Sequence, residues 1–202
     1  MYDEDYYERG IETGKSCYTN FSWMPELTIP MTMTMIDYMG IKHNESVLDY
    51  GCAKGYCVKA FNMLGRDAYG YDISEYATDN CPEEVKHKII KDSDIVLQQE
   101  FDYFIAKDVF EHMDVLDLKV LLSQININKK VLVIVPLGDG GVYRVPAYAL
   151  DKTHINAENE LWWNDLFIEA KFKVVAFNHL LPGIKDNWNT YPKGNGFFLL
   201  ER

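Results

Sequence analysis

From Ser46 onward, short apolar runs of strand length alternate with stretches of helical periodicity. Consecutive parallel strands need a crossover long enough to hold a helix, so this alternation restricts the chain to βαβ units around a largely parallel sheet. Residues 46–50, 68–72, 85–90, 101–106 and 130–135 read as strands. The last, Lys-Val-Leu-Val-Ile-Val, is almost continuously apolar, as a strand covered on both faces must be. Between the strands, Val58, Phe61 and Leu64 recur at helical spacing until Gly65 stops them. Val115, Leu118, Leu122 and Ile125 make a second apolar face behind Asp114, a natural N-cap. After a loop-like stretch at 136–156, Trp163, Leu166, Phe167 and Ala170 share a helix face, and runs at 172–180 and 196–201 close the chain. The expected fold is a doubly wound, Rossmann-like α/β sheet of seven strands, mostly parallel with an antiparallel last strand, and helices on both faces.

Residues 1–44 differ in character, being rich in aromatics and methionine and interrupted by Pro25 and Pro30. They are expected to form an N-terminal lid over a domain spanning residues 45–202. Tyr6, Tyr7, Tyr18, Phe21 and Trp23 would either enclose a substrate or cover the sheet edge. Met31, Met33 and Met35 fall in a stretch that reads as helical, so they read as packing rather than as ligands.

A chain of 202 residues suffices for one domain with its own core. Its net charge of -11 disfavours nucleic acid and anionic membrane surfaces as partners. Cys17, Cys52, Cys57 and Cys81 show neither a Cys-x-x-Cys pair nor zinc-finger spacing, which suits free thiols in a reducing compartment. The acidic N-terminus lacks the pattern of a signal peptide, and no apolar run approaches the roughly 18 residues of a membrane span. A cytoplasmic location is therefore expected.

The residue types that carry chemistry cluster at strand ends. Asp49-Tyr50-Gly51-Cys52-Ala53-Lys54-Gly55 lies at a predicted strand-to-helix turn. Gly51 would let the backbone turn sharply and approach a ligand, and Gly55 would open a helix whose N–H groups attract polar ligand atoms. Tyr71-Asp72 places a carboxylate 21 residues after Gly51, where a doubly wound fold presents an acid to ribose hydroxyls. Either feature alone is weak, because turns need glycine and strand ends tolerate acids.

Together these residues resemble a known family. Residues 47–55 are similar to the first motif of class I S-adenosylmethionine-dependent methyltransferases, and Tyr71-Asp72 to that family's ribose-binding acid. Ala106-Lys107-Asp108-Val109-Phe110-Glu111-His112, residues 131–136, and Asp151-Lys152-Thr153-His154-Ile155-Asn156 resemble segments of the subgroup containing ubiquinone-pathway and sugar O-methyltransferases. The resemblance covers about residues 46–202. It departs at Ala53, where many members have a third glycine, and at Lys171, which replaces the glycine often found after the last helix. Ala53 is acceptable if the loop needs no positive φ there.

The resemblance implies S-adenosylmethionine as cofactor. Asp49 would orient the loop and the cofactor's amino group, while the backbone of Gly51, Cys52 and Gly55 would meet its methionyl part. Asp72 would hold the ribose and Ile73 would lie against the adenine. Asp92 and Ser93 would face the adenine amino group, with Asp94 as a competing assignment. Lys107 and Asp108 would line the methionyl side.

An alcohol acceptor benefits from a general base, and His112 and His154 are the natural candidates, with Glu111 to orient one of them. If the turn is helical, Asp108, Glu111 and His112 share a face. With His154 they resemble the Mg²⁺-assisted arrangement of small-RNA 2′-hydroxyl methyltransferases, although imidazole suits Mg²⁺ poorly. The expected activity is O-methylation of a small molecule or sugar. Alternatives are an N-methyltransferase, a non-catalytic cofactor-binding module, and an NAD-dependent oxidoreductase. The last is disfavoured by the missing Gly-x-Gly-x-x-Gly and by too little chain for a substrate domain.

Overall fold

A computed structural model describes residues 2–202. Seven strands form one sheet: β1 (Ser46–Tyr50), β2 (Asp67–Tyr71), β3 (Ile89–Ile90), β4 (Phe101–Lys107), β5 (Ile127–Pro136), β8 (Lys173–Asn178) and β9 (Asn195–Glu201). Their order is β3-β2-β1-β4-β5-β9-β8. The pairs from β3 through β5 are parallel, whereas β9 runs antiparallel to both β5 and β8. The strand order reverses between β1 and β4, which places a crevice outside their carboxyl ends.

Side chains alternate across a strand, and here both faces are apolar. Leu48, Phe104, Val131, Val133, Phe198 and Leu200 pack on one side against α6 (Ser93–Gln98), α7 (Val115–Gln124) and α8 (Glu160–Glu169). Val47, Ile105, Leu132, Ile134, Phe197 and Leu199 pack on the other against α3 (Pro25–Met39) and α4 (Tyr56–Met63). Burying each such side chain contributes about 1.5–3 kcal/mol. Met31 and Met35 are buried in α3 while Met33 is exposed, as helical packing requires. Helix α3 shares its core with β1, β4 and β5. No helix among the described residues is long and apolar enough to cross a membrane.

Some local expectations need correction. The third strand keeps only Ile89–Ile90, because Glu83–Lys88 winds into a 3₁₀ helix that buries Val85 alone. The stretch 136–156 is not plain loop: it holds a hairpin of β6 (Gly138–Asp139) and β7 (Val142–Tyr143), then a 3₁₀ turn at Pro146–Leu150. Helices α5 (Glu75–Asp79) and α6 are too short to show apolar periodicity, but each has a capping side chain, Ser74 and Asp92. Asp114 caps α7 as expected.

Lys171 has a φ of 68° where the helix ends. Its N–H reaches the Ile168 carbonyl and that of Phe172 reaches Phe167, so α8 closes in the motif that favours glycine at this position. Lys171 is exposed and the left-handed backbone is strained for a residue with a Cβ. Lys171→Gly is expected to raise stability by about 1 kcal/mol, or a Tm gain of about 2–4 °C. A thermal melt that moves down instead would contradict that account.

Candidate active site

The loop after β1 is built on positive φ. Gly51 has φ 82°, Ala53 50° and Gly55 72°, so the loop does need a left-handed backbone at Ala53, and the condition for an easily tolerated side chain there is not met. A Cβ on Gly51 would sit 2.3 Å from Val109 Cγ2, and one on Gly55 would sit 3.1 Å from Ile89 Cδ1, so both glycines also make room for neighbouring protein. Cys52 turns its thiol toward Gly70 and the core, leaving only its backbone for any bound group.

Asp72 sits just beyond β2 and accepts from the N–H groups of Ala53 (2.7 Å) and Ser74 (2.8 Å). Its carboxylate thereby ties the glycine loop to the start of α5. Burial raises its pKa despite these bonds. Ile73 beside it is 73% exposed, an unusual position for a large apolar side chain. Asp92 spends one carboxylate oxygen on the N–H groups of Asp94 and Ile95, so it is first of all the cap of α6. Asp49 is buried in β1, and burial with no hydrogen-bond donor to offset it pushes its carboxyl up to about 7; only nearby Lys107 opposes this.

Beyond β4 the chain bends at Asp108, whose φ is 58°. Residues Phe110–His112 then form a 3₁₀ turn, so Asp108 does not share a helix face with Glu111 and His112 as the spacing suggested. Asp108 lies between two ammonium groups, Lys107 at 2.6 Å and Lys185, and these hold its carboxyl well below the usual range. Lys185 comes from the connection between β8 and β9 and also donates to Tyr148 Oη (3.0 Å) and Asn195 Oδ1 (2.9 Å). Sequence reasoning missed it, since a lone lysine between Gly183 and Asp186 reads as surface.

Glu111 has no exposed surface, and neither carboxylate oxygen finds a hydrogen-bond partner. Burial and the charge of Asp108 push its pKa well above the usual carboxylate value. Its Oε1 lies 4.0 Å from His112 Nε2 and 3.9 Å from His154 Nε2. The imidazole rings meet edge-on with centroids 4.5 Å apart. Burial lowers both histidine pKa values, that of His112 to about 4. Ligand atoms of Glu111, His112 and His154 all fall within 4.8 Å of one another. One carboxylate and two imidazoles do not fit Mg²⁺, which prefers a full set of oxygen ligands, and Asp108 is withdrawn by its lysines.

The segment before α3 covers this crevice. Tyr6 and Tyr7 of α1 (Glu4–Glu8) cluster with Tyr2, Tyr18, Phe21, Ala53, Tyr76 and Ala77. Tyr6 Oη donates to Asp151 Oδ2 at 2.7 Å, and Lys54 pairs with Glu8. Trp23 lies apart, against Tyr56 and under Lys59. Arg144 is occupied by Asp139 and Glu160, so it ties the β6–β7 hairpin to the start of α8.

The sequence of residues 32–177 matches a family model described as a methyltransferase domain. That span covers most of the chain, including β1, the loop after it, Asp72, and the Glu111, His112 and His154 group. The chain belongs to the methyltransferase-domain family. S-adenosylmethionine is the cofactor of this methyltransferase, and an unpartnered buried Asp49 and a strand-end Asp72 fit its ammonium and ribose hydroxyls. No curated protein has a sequence that matches it. Its fold is similar to a SAM-dependent methyltransferase from Archaeoglobus fulgidus, with TM-score 0.67 and 18% identity, covering 89% of this chain and 95% of that one. It is also similar to magnesium protoporphyrin IX methyltransferase from Synechocystis, solved with bound SAH, with TM-score 0.63, 14% identity and coverage of 87% and 82%. Phosphoethanolamine N-methyltransferase 2 from Haemonchus contortus gives TM-score 0.62 and 14% identity, with coverage of 85% and 52%. Two of these structures are named for different acceptors, so the shared fold leaves this methyltransferase's acceptor open.

Proposed function

We propose that this methyltransferase methylates an oxygen of a small molecule or sugar, with a histidine as general base. The observation that supports this most is the pair of largely enclosed imidazoles of His112 and His154, whose pKa values burial lowers, facing the buried Glu111 at the carboxyl edge of the sheet. An amine acceptor needs only to arrive unprotonated, whereas a hydroxyl gains from a base that removes its proton. When bound, the sulfonium cofactor supplies an activated methyl group. His112 Nε2 would take the acceptor hydroxyl's proton, and His154 would help orient the acceptor. The net charge of -11 favours a small acceptor over nucleic acid.

On this reading Asp72 holds the ribose, Ile73 meets the adenine face, and Asp92 or Ser93 reaches the adenine edge. Asp49 and Lys107 would bracket the methionyl group, one facing its ammonium and the other its carboxylate. Residues 2–21 act as the lid. The Tyr2 carbonyl accepts from Ser74 Oγ at 2.6 Å while its ring meets His112 edge-on at 5.9 Å, so Tyr2 lies across the way from Asp72 to His112. Cofactor binding there requires this segment to move aside.

Calorimetric titration with S-adenosylhomocysteine, with NAD in parallel, tests the reading. Charged hydrogen bonds contribute about 1.5–3 kcal/mol each, so Asp72→Ala, which removes the acceptor for two hydroxyls, should weaken binding roughly 100-fold or more. Unchanged affinity in the variant would remove Asp72 from the site. A panel of hydroxyl and amine acceptors then decides the chemistry, and turnover of amines alone would overturn the O-methylation reading.

A further inference from the structure

The hydrogen bonds behind His112 run in one direction. Asp151 is buried, and its Oδ1 accepts from the backbone N–H of Thr153 at 2.9 Å and from the Thr153 hydroxyl at 2.6 Å. Its Oδ2 accepts from Tyr6 Oη at 2.7 Å. Thr153 Oγ1 in turn lies 2.7 Å from His112 Nδ1. A carboxylate can only accept, and a threonine hydroxyl has a single proton to give. With that proton committed to Asp151, the threonine oxygen must accept from the imidazole. Nδ1 therefore carries the ring proton, and the lone pair of Nε2 faces Glu111 and His154.

We propose that Asp151 and Thr153 are positioning residues that hold His112 in its Nδ1–H tautomer, so that Nε2 is the free base. Neither residue touches the reacting atoms; they act through the imidazole. The opposite tautomer would point an N–H at the acceptor and leave nothing to receive its proton. The role in turnover rests on the function proposed above, whereas the tautomer itself does not.

The surrounding backbone allows the two roles of this segment to be separated. The N–H groups of Ile155 and Asn156 both donate to the Glu111 carbonyl, at 2.8 and 3.1 Å. Asn156 Nδ2 donates to the carbonyls of Phe110 and Met113, at 3.1 and 2.7 Å. These bonds fasten residues 155–156 to the 110–113 turn without using the Thr153 hydroxyl. Removing that hydroxyl should therefore release the tautomer while the turn stays in place.

Long-range proton–nitrogen NMR of histidine-labelled protein at mildly alkaline pH reads the tautomer directly. The wild type and Thr153→Ser should show His112 as Nδ1–H, and Thr153→Val should shift it toward Nε2–H. The valine variant should also lose about 10- to 100-fold in kcat with cofactor affinity retained, and serine should restore it. If valine prevents folding, Asp151→Asn asks the same question, because it frees the threonine proton to turn toward the ring. A wild-type Nε2–H pattern, or a pattern unmoved in the valine or asparagine variant, overturns the proposal. The expected tautomer shift in a protein that methylates no acceptor would uphold the positioning and count against the function instead.

Discussion

Asp49→Asn is expected to make the protein more stable at about pH 8, while costing it the cofactor. Burial moves this carboxyl from 3.8 to about 7, and each pKa unit corresponds to about 1.4 kcal/mol, so the charged form costs the fold on the order of 4 kcal/mol. The direction follows from proton uptake. Between about pH 4 and 7 the folded protein holds a proton that the unfolded chain has lost, so native stability falls as pH rises through that window. Below it, both states are protonated and Asp49 imposes no penalty. Urea denaturation of wild type and variant at about pH 4 and 8 should show a stability difference that grows with pH. A difference that is the same at both ends would sink the assignment. Calorimetry should show the reverse pattern in function, with the more stable variant binding S-adenosylhomocysteine less well, because an amide offers no charge to the ammonium. Such an exchange of stability for binding is expected where a charge is buried ahead of its ligand.

His112→Ala is expected to lower kcat by about 10²- to 10⁴-fold, the usual worth of a general base, without weakening cofactor binding. Its pH behaviour separates it from an ordinary surface histidine. Burial and the nearby His154 lower the His112 pKa to about 4, so the imidazole remains available as a base well below pH 6.5. The acid limb of kcat should therefore lie closer to pH 4 than to 6.5. The same depression affects stability: as pH falls below 6.5 the unfolded chain takes up the proton first, and the native state loses ground. An acid limb near 6.5, or full activity in the alanine variant, would remove His112 from the base role.

The fold was largely legible because its signals are local. Runs such as 130–135 need cover on both faces, and the seven-stranded order with helices on each side provides it. Where local signals were thin, reading failed. Val85 suggested a longer third strand, but its neighbours wind into a 3₁₀ turn. The loop glycines were legible as turn residues, but not the packing of Val109 over Gly51, because Val109 comes from a different strand end. Ala53 illustrates the same limit, as nothing in its identity announces a φ of 50°.

Sequence alone determined the alternation of strands and helices, the acid at the end of the second strand, and the grouping of Glu111 and His112 on one short segment, because each depends on neighbours in the chain. Only tertiary structure decided how those groups are charged and aimed. Lys185 draws Asp108 out of the proposed metal set from 77 residues away, and Asp151 reaches His112 through Thr153 across a gap of 39. Tyr6 meets Asp151 across 145 residues. Charge and hydrogen-bond direction depend on distances in space and on exclusion of water, which no spacing along a chain specifies.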